Sequence, residues 1–362
     1  MHCLTPFRVL AALLLFSLLS VRADEIDNYV REQMDKQHIP GLALAVVTNG
    51  SIAKVCAYGL ANVELNVPAK PDTIFQIQSI TKTFTASAVM LLVEEGKIGL
   101  DDKITKYLSN LPELWTNITV RHLLTHTSGI KDYINEPTVN MRLDLSPMEV
   151  IDSLRKLPLN FQPGEQYSYC NTGYHILGMI IKKVTGKFWD DFVHERILEP
   201  LQMNETKVVN WSDIITNRAA GYGLNGGKLV NGNFIAPTIV GYAGGGLRST
   251  VLDLAKWDAA LYTEKILKKS TLEQMWTPAK LNDGSLDNYG FGWGITNHNG
   301  HKLVNHTGSH MTGFRTALMR YVDDKVTVIV FTNQREAFQS AIGRGVASYY
   351  IPGLRSKSRE SD

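Results

Sequence analysis

The spacing of apolar and polar positions changes twice along this chain. Residues 24–37 read as a first helix running into Pro40-Gly41. Leu42 to Thr48 and Ser51 to Gly59 then read as two strands, joined by Asn49-Gly50, the strongest short hairpin signal. From Ser79 onward the pattern is helical: Thr83 to Glu95 ending at Gly96, Thr119 to Leu124, Pro147 to Lys156, and Tyr174 to Thr185 before Gly186. Phe188 to Ile197 and Val251 to Tyr262 continue the series, with a short turn at Thr271 to Trp276. After about residue 287 strands return: Tyr289 to Thr296, Lys302 to His306, Thr312 to Val322 and Lys325 to Asn333, the last two joined at Asp323-Asp324. Glu336 to Tyr350 closes as a helix. The Gly-rich stretch 221–232 reads as a turn or an exposed hairpin and not as a phosphate loop, because no helix with a Lys-Ser/Thr start follows it.

Strands at both ends and helices between them predict a discontinuous α+β architecture. Residues 24–75 and 287–353 are expected to share one antiparallel sheet flanked by the first and last helices. Residues 76–286 form an inserted, mainly helical lobe, so that 24–353 make one domain. Residues 1–23 read as a signal peptide: Arg8 supplies charge, Val9 to Leu19 an apolar stretch, and Val21-Arg22-Ala23 a cleavage site after Ala23. That predicts a secreted or periplasmic protein. Residues 354–362 are read as a disordered tail, Ser356 to Asp362 being short and charged.

Composition narrows the function. Lys and Arg number 37 against 35 Asp and Glu, spread along the chain, which argues against a nucleic-acid partner. No apolar run reaches the ~18–20 residues of a bilayer span, so no stable membrane span is expected after leader cleavage. Three cysteines exclude a disulfide scaffold and a thiolate zinc site. Cys56 and Cys170 are left either to pair or to stay as thiols. His122 and His126 stand four apart, but Leu123 replaces the glutamate a zincin needs. His301, His306 and His310 have no carboxylate or cysteine beside them. Neither set is read as a metal site, and no cofactor is expected.

Three short motifs carry chemistry. In Ser79-Ile80-Thr81-Lys82 the first and last residues share a helical face, so Lys82 reaches the Ser79 hydroxyl. A serine needs a nearby base, and a lysine serves only if its pKa is lowered. In Tyr169-Cys170-Asn171 an extended backbone points Tyr169 and Asn171 one way and Cys170 the other. A phenol shuttles protons if cations hold its pKa down, and an amide binds a substrate carbonyl. In His306-Thr307-Gly308 a strand places His306 and Gly308 on one face, the glycine admitting a substrate backbone. The Ser309 and Ser79 backbone N–H groups are then candidates for an oxyanion hole.

In order, spacing and setting the three motifs resemble the serine β-lactamase and penicillin-binding-protein superfamily. The similarity is greatest to its class C-like branch with D-alanyl-D-alanine carboxypeptidases, D-amino-acid peptidases and family VIII esterases. Supporting stretches are Arg121 to Gly129, Gly244 to Thr250 and Tyr289 to Trp293, and the likeness runs from about Ile26 to Gly353. The resemblance implies that superfamily's β-lactamase/transpeptidase-like fold. It also implies an acyl-enzyme: Ser79 as nucleophile, Lys82 and Tyr169 as the proton-transfer pair, Asn171 and His306 in binding and electrostatics. One departure matters, since class C enzymes usually carry lysine where this chain has His306. Without that lysine Tyr169 has less cationic help and a substrate carboxylate meets only a mostly neutral imidazole near pH 7, which puts efficient β-lactam hydrolysis in doubt; the imidazole's charge is expected to change between pH 5 and 8. The expected activity is hydrolysis of a small ester or a short D-amino-acid peptide, or weak hydrolysis of a β-lactam-like substrate. The rival is a non-catalytic ligand sensor or structural subunit of the same fold. All five catalytic and binding side chains are present, which favours the enzyme.

Overall fold

The computed structural model describes residues 25–208, 212–236 and 242–354. The leader, its cleavage position and residues 355–362 of the tail lie outside them. A seven-stranded antiparallel sheet is built from β1 (Gly41–Thr48), β2 (Ser51–Asn62) and β3 (Val67–Pro68) together with β4 (Gly294–His298), β5 (His301–His310), β6 (Phe314–Tyr321) and β7 (Val326–Thr332). Their order is β4-β5-β6-β7-β1-β2-β3, so the two ends of the chain meet where β1 pairs with β7. Asn49 and Gly50 both take positive φ and pair Thr48 with Ser51, as the hairpin signal predicted. Asn299 and Gly300 form the same kind of turn between β4 and β5.

Alternation along the strands sorts the two faces. Leu42, Leu44 and Val46 of β1 pack with Val328 and Val330 of β7 against the first helix, α1 (residues 25–37), and the last, Gln339–Ala347. Ala43, Ala45 and Val47 face the helical lobe with Ile329 and Phe331. In that lobe α2 (Thr81–Glu94) is buried through Leu92 on every side, which fits a helix at the centre of a core rather than at its surface. Around it lie α3 (Val120–Leu124), α4 (Pro147–Leu154), α5 (Asn171–Thr185), α6 (Trp189–Val193) and α7 (Val251–Ala260), with Phe84 of α2 stacked on Trp257 of α7.

Several boundaries differ from the sequence reading. The central helix starts at Thr81 and follows a 3-10 turn, Gln78–Ile80, rather than starting at Thr83. Helix α5 starts at Asn171, three residues early. Residues Tyr289–Trp293, expected as strand, form a loop closed by the Gly290 N–H donating to the Trp293 carbonyl. The Gly-rich stretch is a hairpin, Tyr222–Asn225 with Lys228–Asn231. Cys56 and Cys170 are separate thiols. Cys170 is buried and donates to the Ile130 carbonyl at 3.3 Å. Among the described residues no helix is long and apolar enough to cross a membrane.

Candidate active site

The site is assembled where the helical lobe meets β5. Ser79 sits on the 3-10 turn before α2, and the preceding residue, Gln78, has φ of 52°. A non-glycine residue in that region costs about 1–3 kcal/mol and persists only where its surroundings fix it. Here they do. The buried Gln78 amide donates to Gln76 Oε1 and Thr312 Oγ1, both at 2.9 Å. Thr316 Oγ1 donates to the Ile77 carbonyl at 2.8 Å, and Leu247 N donates to Thr81 Oγ1 at 3.0 Å. Residues on both sides of Ser79 are therefore tied to β6, to the loop before it and to the strand Leu247–Ser249.

Gly308 belongs to this clamp, which corrects its assignment to substrate. A Cβ there would lie 2.3 Å from the Ile77 carbonyl and 2.2 Å from Thr316 Oγ1. What approaches the glycine is the chain's own turn, and Gly308 does not line the cleft. Thr307 and Ser309, its neighbours along β5, do.

Lys82 lies fully buried beneath Ser79. Its Nζ is 2.7 Å from the Gly244 carbonyl, 2.8 Å from Asn171 Oδ1 and 3.2 Å from Ser79 Oγ. The first two partners are pure acceptors. A neutral amine has two hydrogens for them and one lone pair left, directed at the Ser79 hydroxyl. Burial pulls the Lys82 pKa down from the ordinary lysine value to about 7, against the opposing pull of Asp132. Asn171 is oriented in turn: its Nδ2 donates to Asp132 Oδ2 at 2.9 Å, so its oxygen must face Lys82. Because Asn171 opens α5 after an extended Cys170, it and Tyr169 converge on Lys82 from a strand-to-helix corner and not from one strand face.

Tyr169 places its ring 4.9 Å from Lys82 Nζ. Its buried hydroxyl lies towards Ser79, and burial holds its pKa well above the ordinary tyrosine value against the opposing pull of that Ser79 interaction. The condition of a phenol held down by cations is not met here, in keeping with the single lysine beside it, and the raised pKa favours the neutral phenol. Its ring packs against His126, centroids 4.2 Å apart, and His126 contacts Tyr174 and Tyr289 as well. His126 Nδ1 accepts from the Cys170 N–H at 3.1 Å, so this histidine fixes the Tyr169 segment. His122 Nδ1 accepts from Thr119 N as part of an N-terminal helix cap.

His306 Nδ1 stands 2.8 Å from the Thr307 carbonyl, which can only accept, so the proton is on Nδ1. Nε2 then accepts from the Tyr289 hydroxyl at 2.9 Å. Burial, with Lys82 nearby, pushes the imidazole pKa down to about 3. The expected charge change between pH 5 and 8 is thus overturned: the sequence supplies the ordinary pKa, and burial removes it. In an NMR titration His306 should show the Nδ1–H tautomer and no inflection between pH 5 and 8. An inflection in that window would return a charge switch to the site.

The cleft above these groups has a volume of about 630 Å³ and is lined by Ser79, Tyr169, Asn171, His306 and Ser309. Asp132 and Arg315, which sequence reasoning missed, line it too. So do Gly244 and Gly245, from a stretch noted only as support, while Tyr289 of another such stretch acts through His306. Ser309 and Ser79 both line the cleft. His301 is occupied by Asp324 at 2.9 Å, away from His306 and its Tyr289 partner. Among the described residues no three His, Cys, Asp or Glu side chains could together hold a metal ion.

A sequence model of the family described as Beta-lactamase matches residues 26–348. Penicillin-binding protein 4* of Bacillus subtilis is 32% identical over 83% of this chain and 70% of its own length. The octameric penicillin-binding protein homologue from Pyrococcus abyssi superposes with a TM-score of 0.80 at 33% identity, covering 90% of this chain and 76% of that one. The D-amino acid amidase from Ochrobactrum anthropi SV3, solved with D-phenylalanine, gives 0.75 at 25% identity over 90% and 96%. The fold is β-lactamase/transpeptidase-like.

Proposed function

The chain belongs to the beta-lactamase family, and on that premise we propose that it is a secreted serine hydrolase cleaving an ester or amide through a Ser79 acyl-enzyme. The substrate is a small ester or a D-amino-acid peptide, a reading the D-amino acid amidase likeness supports. One observation carries the proposal: the fully buried Lys82 Nζ, with two acceptors for its hydrogens, is 3.2 Å from Ser79 Oγ.

Ser79 Oγ attacks the carbonyl carbon while its proton passes to Lys82. The developing oxyanion takes hydrogen bonds from the Ser79 and Ser309 backbone N–H groups. On collapse the bond from the carbonyl carbon to the leaving nitrogen or oxygen breaks. Tyr169 donates its phenolic proton to that atom and is reprotonated by the Lys82 ammonium. Water then attacks the acyl ester, gives up one proton through the same pair, and Ser79 leaves with it. No net charge or proton remains on the enzyme. His306 holds its place as a neutral group through Tyr289.

A fluorophosphonate and a fluorescent penicillin test the reading, with p-nitrophenyl esters and D-alanyl amides as substrates. Mass mapping should place a covalent adduct on Ser79, with turnover in at least one substrate class. An adduct elsewhere, or none with either probe, would refute the acyl-enzyme and favour a non-catalytic member of the fold.

A further inference from the structure

The catalytic cleft has a neighbour. A second cavity of about 460 Å³ opens beyond Met311, between the loop 137–142 of the helical lobe and the segment 233–236. Among the described residues Met311 is the one that lines both cavities, and it follows Ser309 along the chain by two positions. We propose that the second cavity takes an unbranched alkyl chain of the substrate, so that Ser79 acts on esters carrying such a chain in preference to acetate-sized ones. The inference rests on the Ser79 acyl-enzyme and sharpens its ester branch, because the chain runs from the reacting carbonyl past Met311.

The lining is apolar from floor to mouth. Val139 and Ile235 belong to the buried main core, and Met141 packs against that core from the loop side. Met311 and Phe234, at the mouth, stand 37% and 54% exposed. Apolar side chains left open together at the edge of a cleft mark a surface that meets a ligand. The polar lining offers such a ligand little. Asn140 Oδ1 accepts from the Arg142 N–H at 3.0 Å, and Asn233 Nδ2 is turned to Met311 Sδ at 3.9 Å. Arg142, the one charged residue among the described lining, is exposed. Burial of hydrocarbon is therefore what this cavity supplies.

The walls are joined before a ligand arrives. The Ala236 N–H donates to the Met141 carbonyl at 2.8 Å, and the Asn233 N–H donates to the Met311 carbonyl at 2.9 Å. Loop, segment and the turn after β5 thus form one frame, and a preformed cavity binds without first ordering its own walls. Methionine stands on both sides of the path. An unbranched thioether adapts to methylene groups lying along it, which suits a flexible chain better than a ring or a branch.

The test is kcat/KM for two ester series. The p-nitrophenyl acetate, butyrate, hexanoate and octanoate set lengthens the acyl chain, and the ethyl, butyl, hexyl and octyl acetate set lengthens the alcohol. Each CH2 that enters the cavity is worth up to about fourfold in kcat/KM. In at least one series the longest member should exceed the shortest by about tenfold or more, and the series that rises shows which side of the scissile bond carries the chain. Phe234→Gln and Met141→Gln should each lower that long-to-short ratio by about threefold or more, with the short ester as the reference within each protein. A smaller rise in both series, or a ratio that neither substitution moves, overturns the proposal. So does a dimer in sedimentation at assay concentration that Phe234→Gln dissociates, since the patch then belongs to a second copy. If both variants fail to fold, the wild-type ratios decide. Turnover of p-nitrophenyl acetate with Ser79 labelled, but without a rise along either series, sinks this inference alone. No turnover in either series and no label on Ser79 sinks the acyl-enzyme reading beneath it.

Discussion

Lys82→Met should lower kcat/KM by about a thousandfold or more while the protein stays folded, because the unbranched side chain occupies the same channel and removes only the amine. The wild-type pH profile should identify that amine. With a pKa brought to about 7 by burial, Lys82 is an ammonium below that pH and cannot take the Ser79 proton. For a neutral ester kcat/KM should therefore rise about tenfold per pH unit up to about 7 and level off above it. The residual rate of Lys82→Met should lack this inflection. More than a tenth of wild-type activity, or an unmoved inflection, would assign the base elsewhere. The same shift has a consequence for stability. In the unfolded chain the lysine keeps its proton to its ordinary value of 10.5, while the folded one releases it above about 7. Between those limits the unfolded state binds more protons, so this group's contribution to stability grows as pH rises through the window.

What sequence makes legible is local. Ser79 and Lys82 are three residues apart, and helical spacing alone brings them together, as found at 3.2 Å. The hairpin at Asn49-Gly50 is equally local, because its two residues take the positive φ themselves. Tyr169 and Asn171 do meet at Lys82, but through a corner that the periodicity of the stretch does not reveal. The start of α5 is set by packing, with Thr172 Oγ1 donating to the Lys131 carbonyl 41 residues away. Asp132 was missed for the same kind of reason: it sits on a loop, and its partner Asn171 is 39 residues distant. Gly308 was assigned to the substrate because a glycine on a strand signals close approach of some backbone. Only the fold shows that the backbone is Ile77 of the same chain. The charge of His306 failed on burial, which a residue type does not carry.

The largest stability effect should come from outside the cleft. Asp258 of α7 and Arg320 of β6 are fully buried, with Nε donating to Oδ1 at 2.6 Å, and Thr327 Oγ1 of β7 donates to the same oxygen at 2.8 Å. One carboxylate thus ties the helical lobe to two strands of the sheet. The guanidinium also lies 4.8 Å from the ring centroids of both Tyr262 and Trp276. Asp258→Ala would leave a buried cation and a buried hydroxyl without their acceptor. Breaking one side of such a pair costs about 3–5 kcal/mol. Asp258→Leu combined with Arg320→Met should recover most of that loss, because the charge is removed along with its partner. The effect should reach the active site through neighbours: Trp257, adjacent to Asp258, stacks on Phe84 at 4.6 Å, and Phe84 is two residues from Lys82 on α2. Urea denaturation of the three proteins, with the ester pH profile measured on each, is the check. A single mutant within about 1 kcal/mol of wild type would show that the pair adds nothing to docking of the lobe. A double mutant no more stable than the single one would place the loss in something other than the stranded charge.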